Sequence, residues 1–590
     1  MNSTSLDITS ISLQNSDNSS SVKLQTGIKS SENSHIIIVS LSPADLNYIK
    51  FRTNLATHTF NTYLFLFPSE LTDMNSNVLI YRNSSIMVQD LILDTTPPFL
   101  LSYDLDLSNN SLILTFSEVI NASSLDLSFF LLSSSQSLLI DTQSATFTGG
   151  YKSGPSLTSG HPPIIFISLL HSDTNHIKML NLLARDNTST FLSISPGAAY
   201  DYFNNSLTAI NINTSLSVTK YIGDMVDPML VSFSLDLDSL ILTLYFSETI
   251  QVSSLVISII SLKTTKNFVN DSYSLFDTSL LVDINEPMVN LSLGYTDRNS
   301  IKLNKNLCTQ QTNCFLAFNS SLIRDTNGNY ITQIPRIQAI SVSTFISDST
   351  KPSLLNAFLD LDSFILSLYF DEPVDSSSLN LTQITIQSIP GIISNTSDYE
   401  TFSDGDFPIY SSSNSTNGLF INIFIGTTNL FSIQRNILLA TTSSNSYISF
   451  TSSLIQDMNR NPINYISPLN ATQLSFTPDI TEPMLQNFSL DLNTAYLNLF
   501  FDEVIPGNFI NPSLMILSSV IQYENSATFV RLSHLSIVPL IYHTHISIIL
   551  SKEDLDSIKL SSTLATKLSN TYLTLEDNCL VDTAIPGNIY

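Results

Sequence analysis

Tryptophan is absent from the chain, and glycine supplies only 15 of its 590 residues. Both shortages narrow the function. Without tryptophan, and with Tyr151, Tyr399 and Phe402 the sparse aromatics of the variable segments, little flat ring surface is offered to a sugar. So few glycines leave few backbones able to cradle a phosphate, and the chain has no P-loop, no G-x-G-x-x-G and no G-x-S-x-G elbow. Positive charge is short as well: 23 Lys and Arg stand against 50 Asp and Glu, for a formal charge of −27. Nucleic acid and anionic membranes are recognised by clustered Lys and Arg, so neither is an expected partner. Every apolar run is broken by Ser, Thr, Asn or His before the roughly 18 residues a membrane helix needs, so no membrane insertion is expected. Met1 is followed by polar residues, without the apolar stretch of a signal peptide. No nucleophile with an adjacent base is marked, and the sequence is read as non-enzymatic.

What is present is repetition. Four times the chain runs Asp, three residues, Pro, then twenty residues to a Glu closely preceded by Phe: Asp94, Pro98 and Glu118; Asp224, Pro228 and Glu248; Asp348, Pro352 and Glu372; Asp479, Pro483 and Glu503. The intervals are 130 (94 to 224), 124 (224 to 348) and 131 residues (348 to 479), each the size of one ordinary domain. With 43% hydrophobic residues and a mean hydropathy of +0.19, each unit can bury its own core. Charged residues make up only 12%, and Ser, Thr and Asn fill the polar positions.

Each unit opens with strict alternation. Leu112, Leu114 and Phe116 match Leu242, Leu244 and Phe246, then Leu366, Leu368 and Phe370, then Leu497, Leu499 and Phe501, while the intervening residues vary. That is a strand with one face on a core. Asp106-Leu107, Asp236-Leu237, Asp360-Leu361 and Asp491-Leu492 precede it and read as a hairpin turn. A short helical turn is expected at Ser42-Pro43-Ala44-Asp45, with Ser at the N-cap and Pro at the first position. The same place recurs as Asp45-x-Asn47-x-Ile49-Lys50, Asp173-x-Asn175-x-Ile177-Lys178, Asp297-x-Asn299-x-Ile301-Lys302 and Asp554-x-Asp556-x-Ile558-Lys559. Many short strands, turn signals and no long amphipathic helix predict an all-β chain of β-sandwiches.

The late Asp-to-Asn turn, the linker into D-x-x-x-P and the L-x-L-x-F-[SD]-E strand resemble the bacterial-type Ig-like modules of the S-layer (SbsA) class. That resemblance covers nearly the whole chain. It implies a tandem array in a large secreted surface protein. The units here are longer than that class implies, and Asp-x-Asn-x-Ile-Lys is not one of its marks.

Five units are expected: 1–93, 94–223, 224–347, 348–478 and 479–590. Thr4-Ser5-Leu6 aligns with Ser123-Ser124-Leu125, and Asp582 to Asn588 aligns with the late turn of other units, so the first and last are read as truncated and the chain as a fragment of a longer array.

Three cysteines are present. Cys308 and Cys314 replace Ala184 and Thr190 and their counterparts together in one unit, which predicts a disulfide and an oxidising compartment. Cys579 has no partner here; a partner is expected further on. Sixteen N-x-[ST] triplets, Asn83, Asn187, Asn319, Asn414 and Asn487 among them, are close to what so much Asn, Ser and Thr gives by chance.

For metal, the late turns are the candidates: Asp73, Asn75 and Asn77; Asp325, Asn327 and Asn329; Asp457, Asn459 and Asn461. Their alternating oxygens have calcium-loop spacing, with the opening Asp of the next unit expected close by. Plain turn chemistry is the competing reading, because Asp and Asn tolerate the left-handed backbone and no bidentate Glu follows. No other cofactor is expected. Glu118, Glu248, Glu372 and Glu503 are read as structural acids capping a strand. His543 and His545, with His534 nearby, are read as surface histidines for want of further zinc ligands.

The function expected is an elongated extracellular or cell-surface array, acting as stalk or adhesive, with other surface proteins or glycans as partners. The alternatives are a ligand-binding adhesin with specificity in its variable loops, and accessory repeats of a larger secreted enzyme.

Overall fold

A computed structural model describes the chain except residues 68–70, 81–83, 138–140, 158–160, 268–271, 392, 394–397, 407, 522–527 and 583–590. The sequon at Asn83 lies outside the described residues. Two compact bodies emerge: Met1–Leu235, Leu242–Ser292 and Phe315–Thr344 form one, and Asp236–Ile241, Leu293–Cys314 and Phe345–Tyr590 the other.

Within the first body, the repeat from Asp94 shows the architecture. One sheet orders Gly150–Ser156, Ile164–Leu169, Ser111–Phe116, Leu100–Asp106 and Lys220–Ile222; its last pair is parallel and the others antiparallel. The second sheet orders Ser144–Thr146, Phe130–Ser133, Phe191–Ile194 and Leu216–Ser217. Leu112, Leu114 and Phe116 from the first sheet share a sealed core with Phe130, Leu132 and Leu192 from the second. The strand Ser111–Phe116 alternates half-buried and buried residues along its length, as period-2 patterning requires. Each fully buried Leu or Phe on that face is worth about 1.5–3 kcal/mol of burial.

Within the second body the repeat from Asp348 has the same pair of sheets. One contains Gly418–Phe424, Ile365–Asp375, Leu354–Asp360 and Ser475–Thr477, again with a parallel closing strand; the other contains Tyr399–Thr401, Ile384–Gln387, Tyr447–Phe450 and Thr472–Gln473. Its core holds Leu366, Leu368 and Phe370, as the alternation predicts.

Each repeat also carries one nine-residue helix: α1 Pro43–Phe51, α2 His171–Met179, α3 Tyr295–Leu303, α4 Thr427–Arg435 and α5 Lys552–Leu560. In α1 the Ser42 hydroxyl accepts from the Asp45 N–H at 3.1 Å and Pro43 opens the helix; in α5 Ser551 does the same for Asp554. The expected single turn is thus a full helix, and its extra turn matters. Positions three and seven share one face, four residues apart, and positions five and eight share another.

The first face belongs to the helix's own repeat. At position seven Ile49, Ile177, Ile301, Ile433 and Ile558 are buried. At position three Asp45 accepts the N–H groups of Gln25 and Thr26, Asp173 those of Thr148 and Gly149, and Asp554 that of Ser533. These acids tie down the loop that precedes the helix, which explains their recurrence.

Candidate functional site

The second helix face reaches the next repeat. At position five the Asn47 Oδ1 accepts the Val119 N–H at 3.0 Å, and the Asn175 Oδ1 accepts the Thr249 N–H at 3.1 Å. Val119 and Thr249 each follow the strand-end glutamate. In α3 the pattern breaks: both side-chain polar atoms of buried Asn299 have no partner. The residue after Glu372 is Pro373, which has no N–H to give.

At position eight, lysine supplies a cation. Lys50 pairs with Asp94 at 2.6 Å and with Glu118; Lys178 with Asp224 at 2.7 Å and Glu248 at 2.6 Å; Lys302 with Asp348 at 2.9 Å and Glu372 at 2.6 Å. The opening Asp and the strand-end Glu of one repeat therefore clamp the helix lysine of the repeat before it. Glu118, Glu248 and Glu372 bind an ammonium rather than cap a strand end through backbone N–H groups.

The late turn completes the cluster. Asp325 Oδ1 accepts the N–H groups of Asn327 and Asn329, while the Asn329 amide donates to Asp325 Oδ2 at 2.7 Å and to the Asp224 carbonyl at 3.0 Å. Asp457 with Asn459 and Asn461 repeats this against the Asp348 carbonyl, and Asp201 with Asn205 against Asp94. Asp73, Asn75 and Asn77 form the same turn. Its fourth residue is left-handed throughout: Ser76, Asn204, Gly328 and Arg460 have φ of 67°, 69°, 95° and 72°. Beside the turns at Asp201, Asp325 and Asp457 the opening aspartate is that of the same repeat, not of the next one. Asn205, Asn329 and Asn461 each spend their amide N–H groups on the turn's aspartate and on that carbonyl.

What the turns do contribute is their first acid. Asp94, Glu118 and Asp201; Asp224, Glu248 and Asp325; Asp348, Glu372 and Asp457; and Asp479, Glu503 and Asp582 each bring carboxylate oxygens within 4.8 Å of one another. Three acids around one lysine cannot all ionise cheaply. Burial pushes Glu248 and Glu372 up to about 7 even with the ammonium beside them, and raises Glu118, Asp325 and Asp457. Burial pulls the ammonium groups of Lys50, Lys178 and Lys302 down, but their bonds to the carboxylates outweigh it and hold all three above the usual lysine value.

Cys308 and Cys314 are disulfide-bonded. Cys308 occupies a left-handed position, φ 49°, that the other repeats fill with Ala56, Ala184, Ala440 and Ala565. Cys579 is a free thiol sealed in the core of the last repeat, and burial pushes it up to about 12. The histidines do not converge on a site: His543 Nδ1 accepts the His545 N–H, and the His545 ring stacks on Phe500.

The sequence carries a signal for the lysine in its spacing: Lys50, Lys178 and Lys302 precede the glutamates they pair with by 68, 70 and 70 residues.

No protein-family model matches the chain, and no curated protein matches it. Among solved structures, titin domains A168–A170 overlap 60% of this chain and 91% of theirs at 10% identity and a TM-score of 0.16. Surface layer protein SbsC, domains 1–6, overlaps 78% of this chain and 67% of its own at 8% identity and 0.13. The eight N-terminal Ig domains of the Down syndrome cell adhesion molecule overlap 91% and 62% at 7% identity and 0.14. The repeats are Ig-like β-sandwiches in tandem, with paired sheets around sealed cores.

Proposed function

We propose that the chain is a non-enzymatic spacer array of an extracellular or cell surface, built from the repeats 1–93, 94–223, 224–347, 348–478 and 479–590. One observation carries this reading: a lysine at the end of one repeat, its side chain 11%, 6% or 8% exposed, is held by two acids of the next, at Lys50, Lys178 and Lys302. Such a clamp restrains a repeat against its neighbour, which suits a protein that sets distance. The Cys308–Cys314 disulfide supports an oxidising compartment. Small-angle scattering of the whole chain tests it. Wild type is expected to give a narrow distribution of interatomic distances, and K50M/K178M/K302M a broader one with intact strand content by circular dichroism. A triple variant indistinguishable from wild type overturns the clamp as a stiffening device.

An adhesive role is the second reading. Tyr151 and Phe276, in the variable middle segments, are 81% and 80% exposed, as ring anchors for another surface protein would be. Binding that is lost in Y151A/F276A, with scattering unchanged, would favour it.

A further inference from the structure

The fourth junction departs from the other three. Position eight of α4 is Gln434 in place of lysine, and position five is Phe431 in place of asparagine. The acids are unchanged: Asp479, Glu503 and Asp582 are buried and bring their oxygens within 4.8 Å of one another. Gln434 is 8% exposed and its Nε2 lies 3.3 Å from Asp479 Oδ2. Its amide end therefore points into the cluster, and its Oε1 is buried without a partner.

We infer that this junction takes a divalent cation of the calcium class, bound by Asp479, Glu503, Asp582 and the Gln434 Oε1, in place of the lysine ammonium that fills the other three clusters.

The donor set favours the hard cation. Every candidate ligand is oxygen, and calcium takes six to eight oxygens from carboxylates, amide carbonyls and water. Glutamine ends one atom short of lysine, which leaves room for an ion, and exchanges an ammonium, which repels a metal, for a carbonyl, which ligates one. An amide turned so that Oε1 faces the cluster serves as ligand without any change in length. The electrostatics agree. Three buried acids bring their oxygens within 4.8 Å of one another and face a neutral amide where the other clusters hold an ammonium. The residues differ from the nine of the late turns, and the inference does not depend on the spacer reading: a cation can fill this cluster whatever the array does.

The test is calcium titration of the whole chain after chelation, read by calorimetry and by terbium luminescence. Wild type is expected to bind one equivalent. Q434K, which installs the lysine of the other junctions, should abolish that binding and raise the melting temperature measured in EDTA. E503Q should weaken binding about tenfold or more. K178Q, which gives the second cluster the same kinds of donor as the fourth, should add an equivalent. Absence of calcium binding by wild type, or undiminished binding by Q434K, overturns the proposal; a cluster neutralised by protons alone would give the first of these results. The K178Q arm keeps the test decisive if Q434K fails to fold: no added equivalent from a folded K178Q counts against the donor set.

Discussion

The Lys178 ammonium lies 2.7 Å from the Asp224 carboxylate, with side chains only 6% and 1% exposed, although 46 residues separate them (178 to 224). Removing one partner of such a pair leaves the other charged and buried. Lys178→Met is therefore expected to destabilise the junction by about 3–5 kcal/mol. K178M/D224N/E248Q, which also removes the charge of the two acids that clamp the lysine, should recover part of that loss. Calorimetric melting of the whole chain checks both, with Lys552→Met as a control, since the Lys552–Asp556 pair is exposed and worth little.

Glu248 and Glu372 hold protons more readily folded than unfolded. Their values rise from 4.5 to about 7, first because of burial and despite Lys178 and Lys302, with Asp224 beside the first glutamate and Asp348 and Asp457 around the second. A group raised on folding stabilises fully below its unfolded value and loses that contribution as pH rises through the folded one. Melting temperature should therefore fall between about pH 4.5 and 7 on their account. In E248Q/E372Q that part of the slope should disappear; an unchanged slope would assign it to other groups.

Two asparagines at the same helix position should respond differently. Asn175→Ala deprives the buried Thr249 N–H of its acceptor and should cost about 1–3 kcal/mol. Asn299→Ala removes two polar atoms that have no partner, and its cost should be smaller by about 1 kcal/mol or more. Chemical denaturation of the two variants side by side decides it, and equal losses would refute the Pro373 explanation.

The disulfide closes a short loop. C308A/C314T, which restores the residue types of the repeat from Asp94, should lower stability by about 2 kcal/mol. Mass spectrometry before and after reduction should show two hydrogens gained by the wild type, and none by the variant.

The strands were legible because their information is local. Leu112, Leu114 and Phe116 alternate within five residues, and the core follows from that. Asp94, Pro98 and Glu118 stood out by recurrence, yet their purpose did not, because the lysine that answers them lies in the previous repeat. Asp-x-Asn-x-Ile-Lys looked like a turn since its four marked residues divide between two faces, two for each repeat, and neither face alone is apolar enough to announce a helix. The calcium spacing of Asp325, Asn327 and Asn329 is the spacing of a turn whose aspartate gathers two backbone N–H groups; spacing alone does not say which way an amide faces. Gln434 carried no signal until its helix was placed beside Lys50, Lys178 and Lys302.

The two-faced helix makes each repeat a plug at one end and a socket at the other. A duplicated copy brings both halves with it, so a gene of this kind can lengthen by unequal crossing-over without any new contact having to evolve. The copy from Asp348 breaks that interchangeability: its plug is Gln434, and a socket evolved for lysine would meet it without a matching charge. Position along the chain is thereby written into one side chain.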